Sequence, residues 1–560
     1  MRNPFLRSFL VLFLPFALLF SLRTLAQVRS QSLTNDEPSD VANGYYYWTR
    51  GDVVNNPNHP PLGTALQALP LLGMGLKSGT DASDFIDRGH RFFFEWNPDR
   101  LGPLTLWPRL VSVILGVIAG LFLWGVTWRR PVACFGALLF WALDPVFSAM
   151  SALAKNEIAP ALFFFLALML FQAAQRRPTL GRMCLAGFVT ALAVNAKLYC
   201  LVLFPIYAVL EALFLREKEN LLRWAEVRRV VRPRWIILAG SILAVTFLVF
   251  LPATLAEPAH HQPFYYLFLK IKETFLYGKR SLPVFLFGKA SFEDHWYYLP
   301  VAFLLKEPIP FLLFLGAGTF FGLRGRISLP AWTWVPVLFF NAMLIPSPNL
   351  GVRYLLPIFP LLFLIAGEGV AWAWADRFGR LSLHFSKALV AVLGFWLVVS
   401  VLGFPGTSLG YFNEMVPVEK RIHYLADSNL DWGQDLKRLG HFAERKGWGK
   451  VRLAYLGGVD PKVYGLDWVP WDSDDLKGPQ PGRVYLVNAS FLQLGPLSYP
   501  SVKPIAEGWL ADRKPDGRIG DAWYYFEVPG QEKADPKAKF WVSAPFLEYR
   551  GYTPFYSIPR

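Results

Sequence analysis

Two adjacent acidic residues, Asp36 and Glu37, follow the first apolar run of the chain in the stretch "TNDEPSDVANGYYYWTR". A carboxylate at such a place could act as a general base that takes a proton from an acceptor hydroxyl or amine. The same residues also suit a helix start, where Asp36 or Asn35 would accept hydrogen bonds from the free N–H groups of a helix over residues 38–50. The local sequence leaves both interpretations open.

Two further polar residues stand at predicted helix starts. Glu157, in "SALAKNEIAP", precedes a predicted helix, where the helix dipole favours a negative charge without any further role. His59 is followed by Pro60 and Pro61 at the start of an apolar helix whose free N–H groups could hold a phosphate. The alternative for His59 is an incidental histidine at a helix start.

Three cations interrupt or flank apolar segments: Lys197, Lys306 and Arg353. An ionisable residue within a membrane span is costly and indicates a functional site. For Lys306 the alternatives are pairing with Glu307 or extension towards the membrane interface. Lys197 and Arg353 lie nearer the predicted interface, where contact with a lipid headgroup is the structural alternative.

The elements that must position these residues are membrane spans. Of the 560 residues, 54% are hydrophobic, and the mean hydropathy is +0.31. The net charge of +15 comes from basic clusters scattered between apolar segments, which is typical of cytoplasmic loops and not of a nucleic-acid-binding surface. The sequence predicts a mainly α, polytopic membrane bundle of about eleven spans, over residues 9–22, 104–126, 131–147, 158–173, 183–194, 198–215, 235–256, 298–323, 332–345, 355–374 and 388–404.

An odd number of spans with the N-terminus inside places the C-terminal tail outside. We therefore predict a transmembrane domain over residues 1–405, with outer loops at 28–103 and 257–297, and an extracytoplasmic α/β domain over residues 406–560. Strand-like alternation at residues 451–456, 484–487 and 523–528, beside a helix-like segment at 432–446, indicates the α/β class. The second loop contains "HQPFYYLFLKIKETFLYGK", which suits a helix in the lipid interface. The first apolar run also has the pattern of a cleavable signal peptide.

An ordered series of motifs resembles a known family. The acidic pair, "GYYYWTRGDVVNNPNHPPLGTALQALPLL", "WPRLVSVILG", "HWYYLPVAFLLKEP", "NLGVRYLLPIFPLLFLIAG" and the tail segment "YLADSNLDWGQDLKRL" resemble the polyprenyl-phosphate-sugar-dependent glycosyltransferases of the GT-C class. This group includes protein O-mannosyltransferases and the aminoarabinose transferase of lipid A. The resemblance implies a GT-C fold and an inverting hexosyl or pentosyl transfer from a lipid-phosphate sugar to a protein, lipid or glycan acceptor on the outer face of a bacterial inner membrane.

The resemblance also implies residue roles. Asp36 matches the general base, Glu37 its partner in shaping the site, and Glu157 stands where other members often have the aspartate of a Thr-Asp pair. The carrier phosphate leaves already charged and needs positive groups, for which the candidates are His59, Lys197, Lys306 and Arg353. Candidate aromatics for the substrate or for anchoring in the membrane interface are Tyr45, Tyr46, Trp296, Tyr297, Tyr298 and Tyr354.

Several classes of function lack their sequence signals. The chain has no phosphate-binding Walker loop, no dinucleotide fingerprint and no metal-ligand spacing. The three cysteines fall in apolar segments and indicate neither a disulfide framework nor a metal cluster. No cofactor is predicted, although a divalent metal is compatible with the family. The alternative function is a lipid or solute transporter, which should show repeated halves with matched broken helices; the sequence shows no such repeat.

Overall fold

The computed structural model describes residues 3–53, 59–218, 224–256, 264–278, 282–344, 349–375, 383–404, 406–498 and 508–530. Within these ranges the chain is mainly helical, as predicted. Seven helices are long and apolar enough to cross a membrane: Pro4–Ser30, Pro98–Thr127, Ile158–Arg176, Leu198–Arg216, Pro233–Ala256, Val352–Trp374 and His384–Leu402.

Two of the predicted spans are broken by proline. Helices Pro131–Leu143 and Pro145–Ser151 meet at an angle of 57°, and helices Tyr298–Lys306 and Ile309–Leu323 meet at 119°. The residue before a proline avoids the helical conformation, and Glu307, before Pro308, is extended with φ −96° and ψ 140°. The number of candidate spans in the described ranges is therefore seven, or nine if each bent pair is one span.

Two other predicted spans coincide with shorter helices. Leu180–Ala196 has 17 residues and Ala331–Leu344 has 14, fewer than the about 20 residues that cross a bilayer. All eleven predicted segments are thus helical, but not all are complete spans. The other helical elements are Glu37–Arg50, Leu62–Ala68, Leu69–Leu71, Phe85–His90, Arg91–Trp96, Pro98–Arg100, Tyr265–Gly278, Val418–His423, Asp427–Asn429, Leu436–Lys446, Pro461–Tyr464, Ser473–Lys477, Ala489–Ser498 and Trp509–Asp512. Helix Tyr265–Gly278 lies at the predicted interfacial segment.

The tail forms the predicted α/β unit. The strands of the structure are β1 (Val284–Leu286), β2 (Lys289–Ser291), β3 (Val451–Ala454), β4 (Trp468–Pro470), β5 (Val484–Asn488), β6 (Gly517–Ile519) and β7 (Trp523–Glu527). β1 and β2 form a hairpin, and the others form a sheet of order β4-β3-β5-β7-β6. β3 is parallel to β4 and β5, whereas β7 is antiparallel to β5 and β6. The last 30 residues of the predicted domain, 531–560, lie outside the described residues.

The α/β unit is joined to the helical bundle by backbone hydrogen bonds. Ser32 N donates to Gln434 O at 3.0 Å, and Asn35 N donates to Trp432 O at 2.9 Å. The segment before helix Leu436–Lys446 therefore runs beside the loop that contains Asp36. This pairing places residues from two distant parts of the sequence at one end of the bundle.

Candidate active site

Of the two adjacent acids that follow the first apolar helix, Asp36 is the accessible one. Its side chain is 45% exposed, and its Oδ2 lies 3.0 Å from Nζ of Lys155. The same Nζ donates to Oδ2 of Asp40 at 2.6 Å, and both of these side chains are only 9% exposed. Lys155 belongs to the turn between helices Pro145–Ser151 and Ile158–Arg176. One ammonium group therefore holds two carboxylates, of which Asp36 is the more accessible.

The charges around Asp36 favour its ionised form. Burial raises the pKa of Asp36, but the nearby charges of Lys155, Arg353 and Lys197 outweigh this effect and hold the pKa below its ordinary value. Burial raises the pKa of Asp40 above its ordinary value; Lys155 opposes this shift and the charge of Asp36 adds to it. At neutral pH, Asp36 is thus a carboxylate that can accept a proton.

Asp36 does not act as a helix cap. It occupies the N-cap position of helix Glu37–Arg50, but its side chain makes no capping hydrogen bond. Asn35, the other predicted cap, accepts a hydrogen bond from Gly458 N at 3.0 Å. The capping interpretation of Asp36 is therefore wrong, because its carboxylate is engaged by Lys155 instead.

A second group of charges lies around Glu157, which is 2% exposed. Its Oε1 accepts a hydrogen bond from Nζ of Lys197 at 2.7 Å and lies 3.6 Å from Nε of Arg353. Lys197 ends helix Leu180–Ala196, and Arg353 follows Gly351, which has φ 143°. A Cβ at Gly351 would collide with Oγ of Ser428, so glycine permits the close approach of this turn to the tail.

The tail contributes an aromatic ring and an acid to the same place. The ring centroid of Trp432 lies 4.4 Å from the guanidinium carbon of Arg353 and 5.6 Å from Nζ of Lys155. Oδ2 of Asp427 lies 4.0 Å from Nη1 of Arg353. Burial raises the pKa of Asp427 to about 6, although Arg353 opposes this shift. We call the seven charged residues around Trp432 the ionic cluster: Asp36, Asp40, Lys155, Glu157, Lys197, Arg353 and Asp427.

Comparison with solved structures finds several chains that are similar to this one. The chain is similar to ArnT from Cupriavidus metallidurans in the apo state, with TM-score 0.47, 14% identity, and coverage of 93% of this chain and 98% of that one. The form bound to undecaprenyl phosphate gives TM-score 0.46 at 14% identity, with 92% and 98% covered. The apo Archaeoglobus fulgidus oligosaccharyltransferase gives TM-score 0.44 at 14% identity, covering 69% of this chain and 54% of that one. No family model and no curated protein matches the chain.

Glu37, next to Asp36, is enclosed, and its predicted role as a partner in shaping the site stays a prediction that its contacts support. Its side chain is fully buried and forms a two-armed ion pair with Arg109, from Nε to Oε1 at 2.8 Å and from Nη2 to Oε2 at 2.6 Å. Oε1 also accepts a hydrogen bond from Ala154 N at 2.7 Å, and Oε2 accepts one from Thr34 N at 2.8 Å. Glu37 fixes the loops that position Asp36 and Lys155.

Lys306 is also outside the ionic cluster. It is 1% exposed, and its Nζ donates to Leu409 O and Asn429 O, both at 2.6 Å. Two backbone carbonyls thus accept hydrogen bonds from the ammonium group, which joins the bundle to the tail. Because the group is enclosed, we do not include Lys306 among the proposed phosphate contacts, and its predicted contact with a carrier phosphate stays a prediction.

His59 is partly exposed and precedes helix Leu62–Ala68, as predicted. The start of this helix lies against the turn that carries Lys155 and Glu157, because a Cβ added at Gly63 would overlap the side chain of Asn156. The proposed contact between His59 and a phosphate stays a prediction.

The six candidate aromatics divide into three groups. Tyr45, Tyr46 and Tyr298 are buried and are packing residues; the hydroxyls of Tyr45 and Tyr46 donate to backbone carbonyls. Trp296 and Tyr297 are exposed, at 69% and 38%, as interfacial anchors would be. Tyr354 is the aromatic beside the cluster, with its ring centroid 5.2 Å from Nζ of Lys197 and 5.5 Å from the guanidinium carbon of Arg353.

Sequence reasoning missed five residues of this region. Asp40 lies in "TNDEPSDVANGYYYWTR", Arg109 in "WPRLVSVILG", Lys155 in "SALAKNEIAP", and Asp427 and Trp432 in "DSNLDWGQD". Their local sequence gives no sign of which partners they meet. Among the described residues, no group of three or more His, Cys, Asp or Glu side chains could hold a metal ion. The carboxylates of the ionic cluster are held by ammonium and guanidinium groups instead.

Proposed function

We propose that the chain is an inverting glycosyltransferase that moves a hexosyl or pentosyl group from a polyprenyl-phosphate carrier to a protein, lipid or glycan acceptor. The observation that supports this best is the ionic cluster: a partly exposed carboxylate, Asp36, lies among three cations at one end of a bundle of apolar helices. The motif series described above points to the same chemistry.

In the proposed reaction, the acceptor oxygen or nitrogen attacks the anomeric carbon of the donor. The bond between that carbon and the phosphate oxygen breaks, and the electron pair leaves with the polyprenyl phosphate. The proton of the acceptor goes to Asp36, which is ionised and accessible. Attack opposite to the leaving phosphate inverts the anomeric centre.

Cations hold the phosphate in this scheme. The leaving group is already an anion, so it needs positive charge and not a second carboxylic acid, in contrast to glycosidases. Arg353 suits this role because its Nη1 is buried and makes no hydrogen bond within the protein. The Nζ of Lys197 has three hydrogen-bond donors, and Glu157 occupies one of them. His59, ahead of helix Leu62–Ala68, is the third proposed contact.

We propose that the reaction takes place on the extracytoplasmic face of a bacterial inner membrane. The basic clusters lie between the apolar helices, at positions that alternate with the ionic cluster along the chain. By the positive-inside rule, this pattern supports an extracytoplasmic position for the ionic cluster and the α/β unit.

The test uses purified protein in detergent with a panel of tritium-labelled hexosyl and pentosyl undecaprenyl phosphates. We expect the wild type to release undecaprenyl phosphate when a membrane extract supplies acceptors, and Asp36→Asn to lose at least about 100-fold in rate while still binding donor. Asp474→Asn is the matched control, since this side chain is 57% exposed on the α/β unit. A transporter would leave the glycosyl–phosphate bond intact, and Asp36→Asn with full turnover would remove Asp36 as the base.

A further inference from the structure

A second, separate group of cations lines a cleft of about 540 Å³ between helix Leu436–Lys446, strand β6 and the segment that follows the last long helix. Its charged lining residues are Arg421, Arg438, His441, Arg445, Arg518 and Asp521. Four arginines thus face one carboxylate. We call this space the arginine cleft.

Arg421 is the central feature of the arginine cleft. It is 4% exposed, and its Nε and Nη1 are buried without any hydrogen-bond partner. The guanidinium carbon lies 4.4 Å from the ring centroid of Phe404 and 5.9 Å from that of Phe412. In the described ranges no carboxylate lies within ion-pair distance of Arg421. Buried N–H groups of a cation that lack hydrogen-bond partners are costly, so this guanidinium group is suited to a ligand that supplies an anion.

Two acids, Asp521 and Asp435, offset part of the positive charge of the arginine cleft. Oδ2 of Asp521 accepts hydrogen bonds from N and Oγ1 of Thr407, both at 2.7 Å. Oδ1 of Asp435 lies 3.3 Å from Nη1 of Arg438, but burial and the charge of Asp521 raise the pKa of Asp435 to about 8. Four arginines line the cleft and these two acids lie near it, so the cleft keeps a net positive charge whether or not Asp435 is protonated.

Two more arginines keep free donors towards the arginine cleft. Arg518 uses Nη1 for Val418 O at 3.0 Å, and the guanidinium carbon of Arg445 lies 5.8 Å from the ring centroid of Phe442. Planar guanidinium groups bind phosphate oxygens in pairs. The chemistry of the cleft therefore favours a phosphate group over a carboxylate ligand of lower charge.

The position of the arginine cleft indicates where the phosphate comes from. Phe404, which packs on Arg421, follows directly on helix His384–Leu402, a candidate membrane span. Arg353 lies at the beginning of helix Val352–Trp374, and Phe404 lies just after the end of the next long helix, His384–Leu402. Because two successive spans run in opposite directions, the arginine cleft and the ionic cluster lie at the same end of the bundle. Phosphate groups at this level belong to lipid headgroups.

We propose that the arginine cleft binds the phosphate of an anionic membrane lipid. This site is distinct from the ionic cluster and does not depend on the proposed transfer reaction. Along the chain, Arg421 precedes and Arg518 follows the two tail residues beside the ionic cluster, Asp427 and Trp432. A lipid held by both arginines would therefore fix the α/β unit against the membrane surface.

The test measures lipid binding to the full chain in a neutral detergent by native mass spectrometry. The probes are phosphatidic acid, phosphatidylcholine and inorganic phosphate. We expect wild type to bind phosphatidic acid at least about tenfold more tightly than phosphatidylcholine, and Arg421→Gln to lose this preference. Arg438→Gln combined with Arg445→Gln should weaken binding without touching a buried position. Arg100→Gln, at an exposed arginine, should bind as wild type does.

Each result decides the proposal. Equal binding of phosphatidic acid by wild type, Arg421→Gln and the double variant would overturn it, as would equal binding of the two lipids by wild type. Inorganic phosphate that binds wild type as tightly as phosphatidic acid would show a site for free phosphate and contradict the lipid source. If the wild type binds phosphatidic acid selectively but transfers no sugar, the proposed function is contradicted and the lipid-binding proposal still stands.

Discussion

Substitution of the adjacent acids Asp36 and Glu37 should affect different properties: Glu37→Gln should lower stability, and Asp36→Asn should lower the rate of sugar transfer. Glu37 is 0% exposed and accepts hydrogen bonds from Arg109, Ala154 and Thr34. Glu37→Gln leaves a buried guanidinium without its counter-ion, which typically costs about 3–5 kcal/mol. Arg109 keeps hydrogen bonds to three backbone carbonyls, so we expect the lower end, about 3 kcal/mol.

Asp36→Asn should cost much less stability. The Asp36 side chain is 45% exposed and makes no capping hydrogen bond, and Lys155 keeps its shorter contact with Asp40. Exposed ion pairs contribute about 0–1 kcal/mol. We therefore expect Asp36→Asn to fold and persist like wild type while losing transfer, and Glu37→Gln to lose stability first.

The assay follows tryptophan fluorescence during unfolding of the detergent-solubilised protein, scored as half-life at one temperature because multi-span proteins unfold irreversibly. Sugar transfer is measured on the folded fraction of the same samples. Glu37→Gln combined with Arg109→Met should be more stable than Glu37→Gln alone, because the unpaired buried charge is gone. Glu37→Gln with wild-type half-life but no transfer would refute the reasoning and make Glu37 a catalytic residue.

Three further outcomes are expected. Lys155→Met should raise the pKa of Asp36, because one of the cations that oppose the effect of burial is lost. The acidic limb of the pH profile of kcat/KM should then move to higher pH. A limb that does not move would contradict this prediction. Burial raises the pKa of Asp427 to about 6, so at pH 5 this side chain is mostly neutral and competes less with a donor phosphate for Arg353. A phosphodiester donor analogue of constant charge should therefore bind roughly tenfold more tightly at pH 5 than at pH 7.5. The variant Asp427→Asn should abolish this difference. Lys306→Met should leave the affinity for the sugar donor unchanged. It should make the tail more sensitive to limited proteolysis, because the carbonyls of Leu409 and Asn429 lose their hydrogen bonds from Nζ. A selective loss of sugar-donor binding would instead identify Lys306 as a phosphate contact.

Much of the fold was readable from the sequence because apolar runs and strand alternation are local signals. The segments predicted as spans are all helical, and the strands predicted near 451, 484 and 523 are β3, β5 and β7. The break at Glu307 was not predicted, although Pro308 and Pro310 carry its cause. The helix predicted from residue 432 begins at Leu436, because Trp432 N bonds to Oε1 of Gln434 and the preceding segment packs on the bundle.

The candidate site shows the limit of local sequence most clearly. Residue types alone selected Asp36, Glu157, Lys197 and Arg353, because charges at the ends of apolar segments are rare and costly. They could not separate Asp36 from Glu37, since one residue of helix rotation turns a side chain by about 100° and sends the two carboxylates to different neighbours.

The sequence by itself determined the class of this protein: a bundle of apolar helices, an α/β tail, and charges placed at helix ends. Only the tertiary structure decided which charges meet. It buried Glu37 against Arg109, enclosed Lys306 between carbonyls, and brought Lys155 to Asp36 and Trp432 to Arg353. Local pattern fixes how each segment folds and where its polar residues lie along it, whereas the partner of a charge depends on contacts between segments hundreds of residues apart.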